Sequence, residues 1–198
     1  MNICENIANS EVVEYAEPNM VITASIDQVI PRDFLYPQQW HIPFTGLPNA
    51  WQILRNNNPT GVMPGRPGDL TFGSENIIIA IMDTGIQSRT VGSEITAAHP
   101  EFNGQVINGE TKVYRFFDFR NMVHNNNPYQ NNDHGMGAAG VASALANNPS
   151  SDAMNQFEGI AGAAPNCKVM GLIAPFGKTL LNWADSYIWT AGFDRVEN

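Results

Sequence analysis

An aspartate closing an apolar run and a histidine opening a small-residue segment are the two side chains best placed to do chemistry together. The run Ile77-Ile78-Ile79-Ala80-Ile81-Met82 ends in Asp83-Thr84-Gly85, and fifty-one residues further on comes Asp133-His134-Gly135-Met136-Gly137-Ala138-Ala139-Gly140. A carboxylate behind six apolar residues is costly to bury unless something pairs it. A histidine at a helix N-terminus meets the positive end of the helix dipole, which favours the neutral imidazole. A neutral imidazole with one nitrogen held by a carboxylate is a general base. Asp83 alone reads equally well as a turn cap, and His134 alone as a structural histidine; together they are two thirds of an Asp-His-Ser triad. The serines after His134 are Ser143, Ser150, Ser151 and Ser186, and none has the sequence setting of a nucleophile. The other histidines, His41, His99 and His124, have no comparable context.

The segment Gly135–Gly140 also fits G-x-G-x-x-G. That motif binds a dinucleotide only when a strand immediately precedes it, so that the pyrophosphate meets the helix N-terminus. The preceding Asn125-Asn126-Asn127-Pro128-Tyr129-Gln130-Asn131-Asn132-Asp133 is not strand-forming, which argues against nucleotide binding.

Alternating strand and helix signals must position the Asp and the His. The run 77–82 is apolar throughout, as in a parallel strand covered on both faces. Lys112–Phe119 and Lys168–Ile173 read as further strands, Gly135–Leu145 as a closely packed helix, and Leu180–Ala191 as an amphipathic helix presenting Trp183, Tyr187 and Ala191 on one face. The expected fold class is α/β with a mainly parallel sheet. In such sheets functional groups gather at the carboxyl ends of strands, where Asp83 lies. Residues 55–75, 121–133 and 147–158 read as loops. Residues 1–32 read as an arm, with a weak strand at 11–15, and residues 33–198 as the rest of one domain.

Ten Lys and Arg against nineteen Asp and Glu give a formal charge of −9. This argues against a nucleic-acid partner. No apolar run approaches the ~18 residues of a membrane span, and no signal peptide is visible at the N-terminus. Cys4 and Cys167 are too few for a disulfide framework and lack metal-ligand spacing; Cys167 reads as a small buried hydrophobe.

Four ordered blocks resemble the subtilisin-like serine proteases, the subtilases, whose triad runs Asp, His, Ser in chain order. Ile79–Ile86 is similar to the family's catalytic-Asp strand and turn, His99-Pro100-Glu101-Phe102 to the segment that follows it, Asp133–Gly140 to the catalytic-His block, and Gly159–Asn166 to the G-[IV]-A-G-x-A-P-x segment. Met136 stands where the family usually has Thr. Glu11–Asn19 resembles the end of the inhibitory propeptide, so that 1–32 would be a propeptide-like arm, and Asp33 with Gln38–Ile42 resembles the start of many mature members.

The resemblance covers residues 11–198 and does not include the family's oxyanion Asn, substrate-pairing strand or G-T-S-x-A block. It implies a three-layer α/β/α fold, incomplete at the C-terminus, with Asp83 and His134 as catalytic residues acting on polypeptide. It implies structural Ca2+ held by Asp33 and Glu101, no organic cofactor, and a secreted or cell-surface location. The chain would be inactive alone and completed by a C-terminal half or a complementing chain. The alternative is a non-catalytic or partner-completed interaction module of the same fold.

Overall fold

The computed structural model describes residues 29–57, 71–91, 94–103, 111–124, 133–148 and 159–193. The expected strand at 11–15, most of the arm, and Ser150 and Ser151 lie outside the described residues. A 3-10 turn (Tyr36–Gln38) leads into two helices, α1 (His41–Phe44) and α2 (Leu47–Asn56). Then come strand β1 (Ile78–Asp83), a hairpin of β2 (Ser88–Val91) and β3 (Glu94–Ala97), strand β4 (Val113–Asp118), helix α3 (His134–Ser143), strand β5 (Lys168–Ile173) and helix α4 (Leu180–Ile188).

β1, β5 and β4 form a parallel sheet in that order. β1 and β5 run in register from Ile78 opposite Lys168 to Asp83 opposite Ile173. Side chains alternate between the two faces of a strand, and the core divides accordingly. Ile81, Phe116 and Val169 pack with Ile86, Phe102, Ala139 and Met136 on the α3 side. Met82, Phe117, Met170 and Leu172 pack with Phe119 and Trp189 on the other. The sheet therefore lies between two layers, as the α/β/α expectation requires. A third cluster, Val29, Ile42, Trp51, Phe72 and Ala161, ties the N-terminal helices to the segment before β5, and Trp51 Nε1 donates to Ala163 O at 2.9 Å.

The two most apolar strands differ in environment. β5 is central and buried from Val169 onward, whereas β1 is an edge strand, with Ile78 37 % exposed. The expectation that β1 is covered on both faces is thus not met among the described residues. Two elements differ from the sequence reading. Helix α2 runs into the expected 55–75 loop; Pro48 sits in its first turn, where a missing N–H costs nothing. Helix α4 stops at Ile188, before a wider turn (Trp189–Phe193) in which Gly192 takes a positive φ of 82°. Its buried residue is Ser186; Tyr187 and Ala191 face outward.

Candidate active site

Asp83 is the last residue of β1 and His134 the first of α3. The side chains meet: His134 Nδ1 lies 2.8 Å from both Asp83 Oδ1 and Oδ2. A carboxylate only accepts, so the proton of the neutral ring sits on Nδ1 and the basic lone pair on Nε2. The Asp83 side chain is 19 % exposed and that of His134 75 %. The carboxylate is sheltered while the imidazole presents itself to solvent.

Backbone chemistry fixes the pair. Asp83 Oδ1 accepts the Thr84 N–H at 2.6 Å, which sets the carboxylate's rotation. Thr84 Oγ1 accepts the Gly135 N–H at 2.9 Å. The first N–H groups of a helix lack internal partners. Here one of them is taken by the turn after β1, although Asp133 occupies the N-cap position and makes no cap bond of its own. Gly135 is required by contact: a Cβ there would lie 2.5 Å from Gly85 O and 3.2 Å from Asp83 Cβ. The sequence D-T-G and the glycine after His134 therefore hold the strand end against the helix start.

The serines do not join this pair among the described residues. Ser143 is buried, accepting from Lys112 Nζ at 2.7 Å and donating to Ala164 O at 2.7 Å. Ser186 donates to Trp183 O at 2.7 Å within α4.

Asp33 and Glu101 are buried, 2 % and 4 % exposed. Both oxygens of Asp33 accept the Asn147 N–H, at 2.9 and 3.0 Å, and Glu101 Oε1 accepts the Ile160 N–H at 3.0 Å. The two acids thus grip the two flanks of one segment. Burial raises the Asp33 pKa, opposed by the Asn147 N–H. A cation would relieve that cost, and hard carboxylate oxygens suit Ca2+. Among the described residues no group of three or more His, Cys, Asp or Glu gathers into a metal cluster.

The β2–β3 hairpin is a part of the site that the motifs did not announce. Gln87, the residue before β2, donates Nε2 to Asp133 Oδ1 at 3.1 Å. The hairpin's available signal was the pair Gly92-Ser93 between two β-prone stretches, a two-residue hairpin pattern.

Residues 74–190, which contain both Asp83 and His134, match the subtilase family. The chain belongs to the subtilase family. This subtilase chain is 30 % identical over 193 residues to a thermophilic serine proteinase of Bacillus sp. (strain AK1), covering 96 % of the chain and 37 % of that relative. It is 30 % identical over 137 residues to thermitase of Thermoactinomyces vulgaris, covering 69 % of the chain and 37 % of that protein. The match to each relative thus takes in little more than a third of that relative's length. Among the described residues of this subtilase chain, no helix is long and apolar enough to cross a membrane.

Proposed function

We propose that the chain supplies the Asp and His of a serine endopeptidase triad, with the nucleophilic serine and oxyanion donors contributed by polypeptide beyond these 198 residues. The carrying observation is the contact of His134 Nδ1 with the Asp83 carboxylate at 2.8 Å. In this reading His134 Nε2 takes the proton of the serine hydroxyl as its oxygen attacks a peptide carbonyl. The imidazolium, steadied by Asp83, then protonates the leaving amine, and an acyl-enzyme forms. Water, deprotonated by the same nitrogen, releases the acid and restores the serine.

Among the described residues β1 pairs on one side only, with β5, which supports this placement of the serine and the oxyanion donors. A strand laid parallel on its other edge would end beside Asp83, because parallel strands share their carboxyl ends. The same edge could instead receive a separate polypeptide, which is the interaction-module reading. Asp33 and Glu101 are proposed to hold a structural Ca2+ that takes no part in the chemistry, and the protein to act outside the cell, as its family membership suggests.

Two measurements test the proposal. The 198-residue chain alone is expected to contain no serine reactive to fluorophosphonate; labelling at a single site would overturn the external placement of the nucleophile. The whole gene product is expected to hydrolyse peptides and to lose turnover on His134→Ala. Unchanged turnover would remove His134 from the chemistry.

A further inference from the structure

Helix α3 carries His134 as its first residue, and three of its ten residues are glycine. A helix so short and so rich in glycine has little stability of its own. Its position is set by what holds its two ends. At the N-terminus that is the turn after β1, where Thr84 Oγ1 accepts the Gly135 N–H. At the C-terminus it is a tripeptide from further along the chain. The last carbonyls of a helix lack internal partners. Here Gly162 N–H donates to Ala144 O at 3.1 Å, Ala163 N–H to Val141 O at 2.9 Å and Ala164 N–H to Ala142 O at 2.9 Å. The contact has no slack: a Cβ on Gly162 would overlap Ala144 N and lie 2.5 Å from Ser143 Cα.

The tripeptide is itself held by a side chain of the N-terminal segment. Gln39 is buried, and its amide bonds both backbone groups of the residue before the tripeptide. Nε2 donates to Ala161 O and Oε1 accepts the Ala161 N–H, at 2.8 Å each. Two opposed bonds to one residue fix its position along the chain and its rotation together. Trp51 Nε1 adds a bond to Ala163 O. A continuous hydrogen-bonded path thus runs from Gln39 through Ala161 and the tripeptide to the end of α3. From there the helix spans roughly 15 Å to His134.

We infer that Gln39 is a positioning residue for His134: by seating the tripeptide that caps α3, it sets how the imidazole meets the Asp83 carboxylate. Gln39 acts through the helix and not by contact with the pair. Loss of its amide frees Ala161 to shift, the tripeptide follows, and α3 moves against the turn after β1. Docking of the N-terminal segment is thereby coupled to the geometry of the Asp83–His134 pair. The inference rests on the peptidase reading only for its effect on turnover; the placement of the ring is measured without it.

The test compares Gln39→Ala with Val29→Ala in the whole gene product carrying ¹⁵N-histidine. Val29 packs in the same cluster as Ala161, so its truncation weakens that cluster while the Gln39 amide remains. Both variants are expected to melt earlier than wild type. Gln39→Ala alone should shift or broaden the His134 Nδ1–H resonance. It alone should lower kcat, by roughly ten- to a hundredfold, the scale of a 1 Å misplacement. KM should hold, because the lost bonds are made to the protein and not to substrate. Gln39→Glu keeps an acceptor for the Ala161 N–H but, ionised, cannot donate to Ala161 O. It should give a smaller change of the same kind, and it decides the question if Gln39→Ala does not fold. A His134 resonance unmoved in the Gln39 variants, or moved equally by Val29→Ala, would overturn the inference. A resonance that moves while turnover does not, or in a gene product that cleaves nothing, would count against the peptidase reading and leave the positioning role standing.

Discussion

Lys112 Nζ donates to Ser143 Oγ at 2.7 Å in a site closed to solvent. The same ammonium donates to Pro165 O and Cys167 O at 2.6 Å each. Three acceptors match its three N–H groups. Ser143 accepts that bond and donates its own O–H to Ala164 O, in the segment before β5. The pair resembles a Ser-Lys dyad in composition only, because both side chains are occupied and no substrate reaches them. Its work is to join the start of β4, the end of α3 and the approach to β5.

Replacing Lys112 with Met should therefore unfold more than it relieves. Burial pushes the lysine pKa down to about 7, against the opposing influence of Cys167 and Glu101. In the unfolded chain it returns to about 10.4. Between those values the unfolded state binds more protons, so the lysine's contribution makes stability rise with pH across that window and fall as pH drops toward 7. Lys112→Met should flatten this slope. It should also take the lysine donor from Pro165 O, while Cys167 O keeps the bond from Ser143 Oγ at 3.0 Å, at a cost of about 1–3 kcal/mol. Urea denaturation at several pH values measures both effects. A wild-type slope unchanged by the substitution would assign the pH dependence to other groups.

Gly135→Ala should separate the pair chiefly through the backbone, with only a lesser contact at 3.2 Å to Asp83 Cβ. The new methyl would press on Gly85 O and N, at 2.5 and 2.9 Å, and these are backbone atoms that cannot rotate away. Overpacking of this kind costs about 1–3 kcal/mol. The turn after β1 and the start of α3 would move apart, lengthening the His134–Asp83 contact. The check is the Nδ1–H proton of His134 by NMR, which should broaden or vanish while the far-UV spectrum remains. An unchanged signal would show that the turn yields elsewhere.

What could be read in the sequence was what local chemistry repeats. The apolar runs at 77–82 and 168–173 mark β1 and β5, and the small residues after His134 mark a helix that packs closely. The Asp83–His134 pairing was legible because a strand-end carboxylate needs a partner and four ordered blocks supply the spacing. Helix α2 carries turn-type residues in its first turn, Pro48 and Asn49 after Gly46, and its place becomes evident only with Trp51 bonded to Ala163 O. The edge position of β1 was illegible for a different reason: its composition is that of a central strand, and only pairing distinguishes the two. Nor could the sequence show that Thr84 serves a helix fifty-one residues away, which leaves Asp133 without a capping role.

Asp83→Asn should leave His134 in place but in the wrong tautomer. The amide still offers an oxygen, but its NH2 can donate to Nδ1, which then holds a lone pair and puts the proton on Nε2. That nitrogen is the one the proposed chemistry needs as a base. In the whole gene product turnover should fall by a factor on the order of 10⁴, the loss seen for triad aspartates in serine proteases. The ¹⁵N shifts of the His134 ring report the tautomer independently of turnover. A tautomer unchanged from wild type would mean that Asp83 does not set it.

Calcium should stabilise the protein through Asp33 and Glu101, which hold the two flanks of the segment between Asn147 and Ile160. A ligand bound only by the folded state contributes about 2.7 kcal/mol at a hundred times its Kd. For a domain of this size that raises the melting temperature by roughly 5–10 °C. Adding CaCl2 to protein stripped with EDTA should produce such a rise, and Mg2+ a smaller one, since the smaller ion demands stricter octahedral geometry. Asp33→Ala lowers the starting temperature in any case, because the Asn147 N–H loses its acceptor. The discriminating quantity is therefore the increment on adding Ca2+, which should disappear in Asp33→Ala and in Glu101→Ala. An increment that survives both substitutions would place the ion elsewhere, and no increment in the wild type would leave the two acids as clasps for the backbone alone.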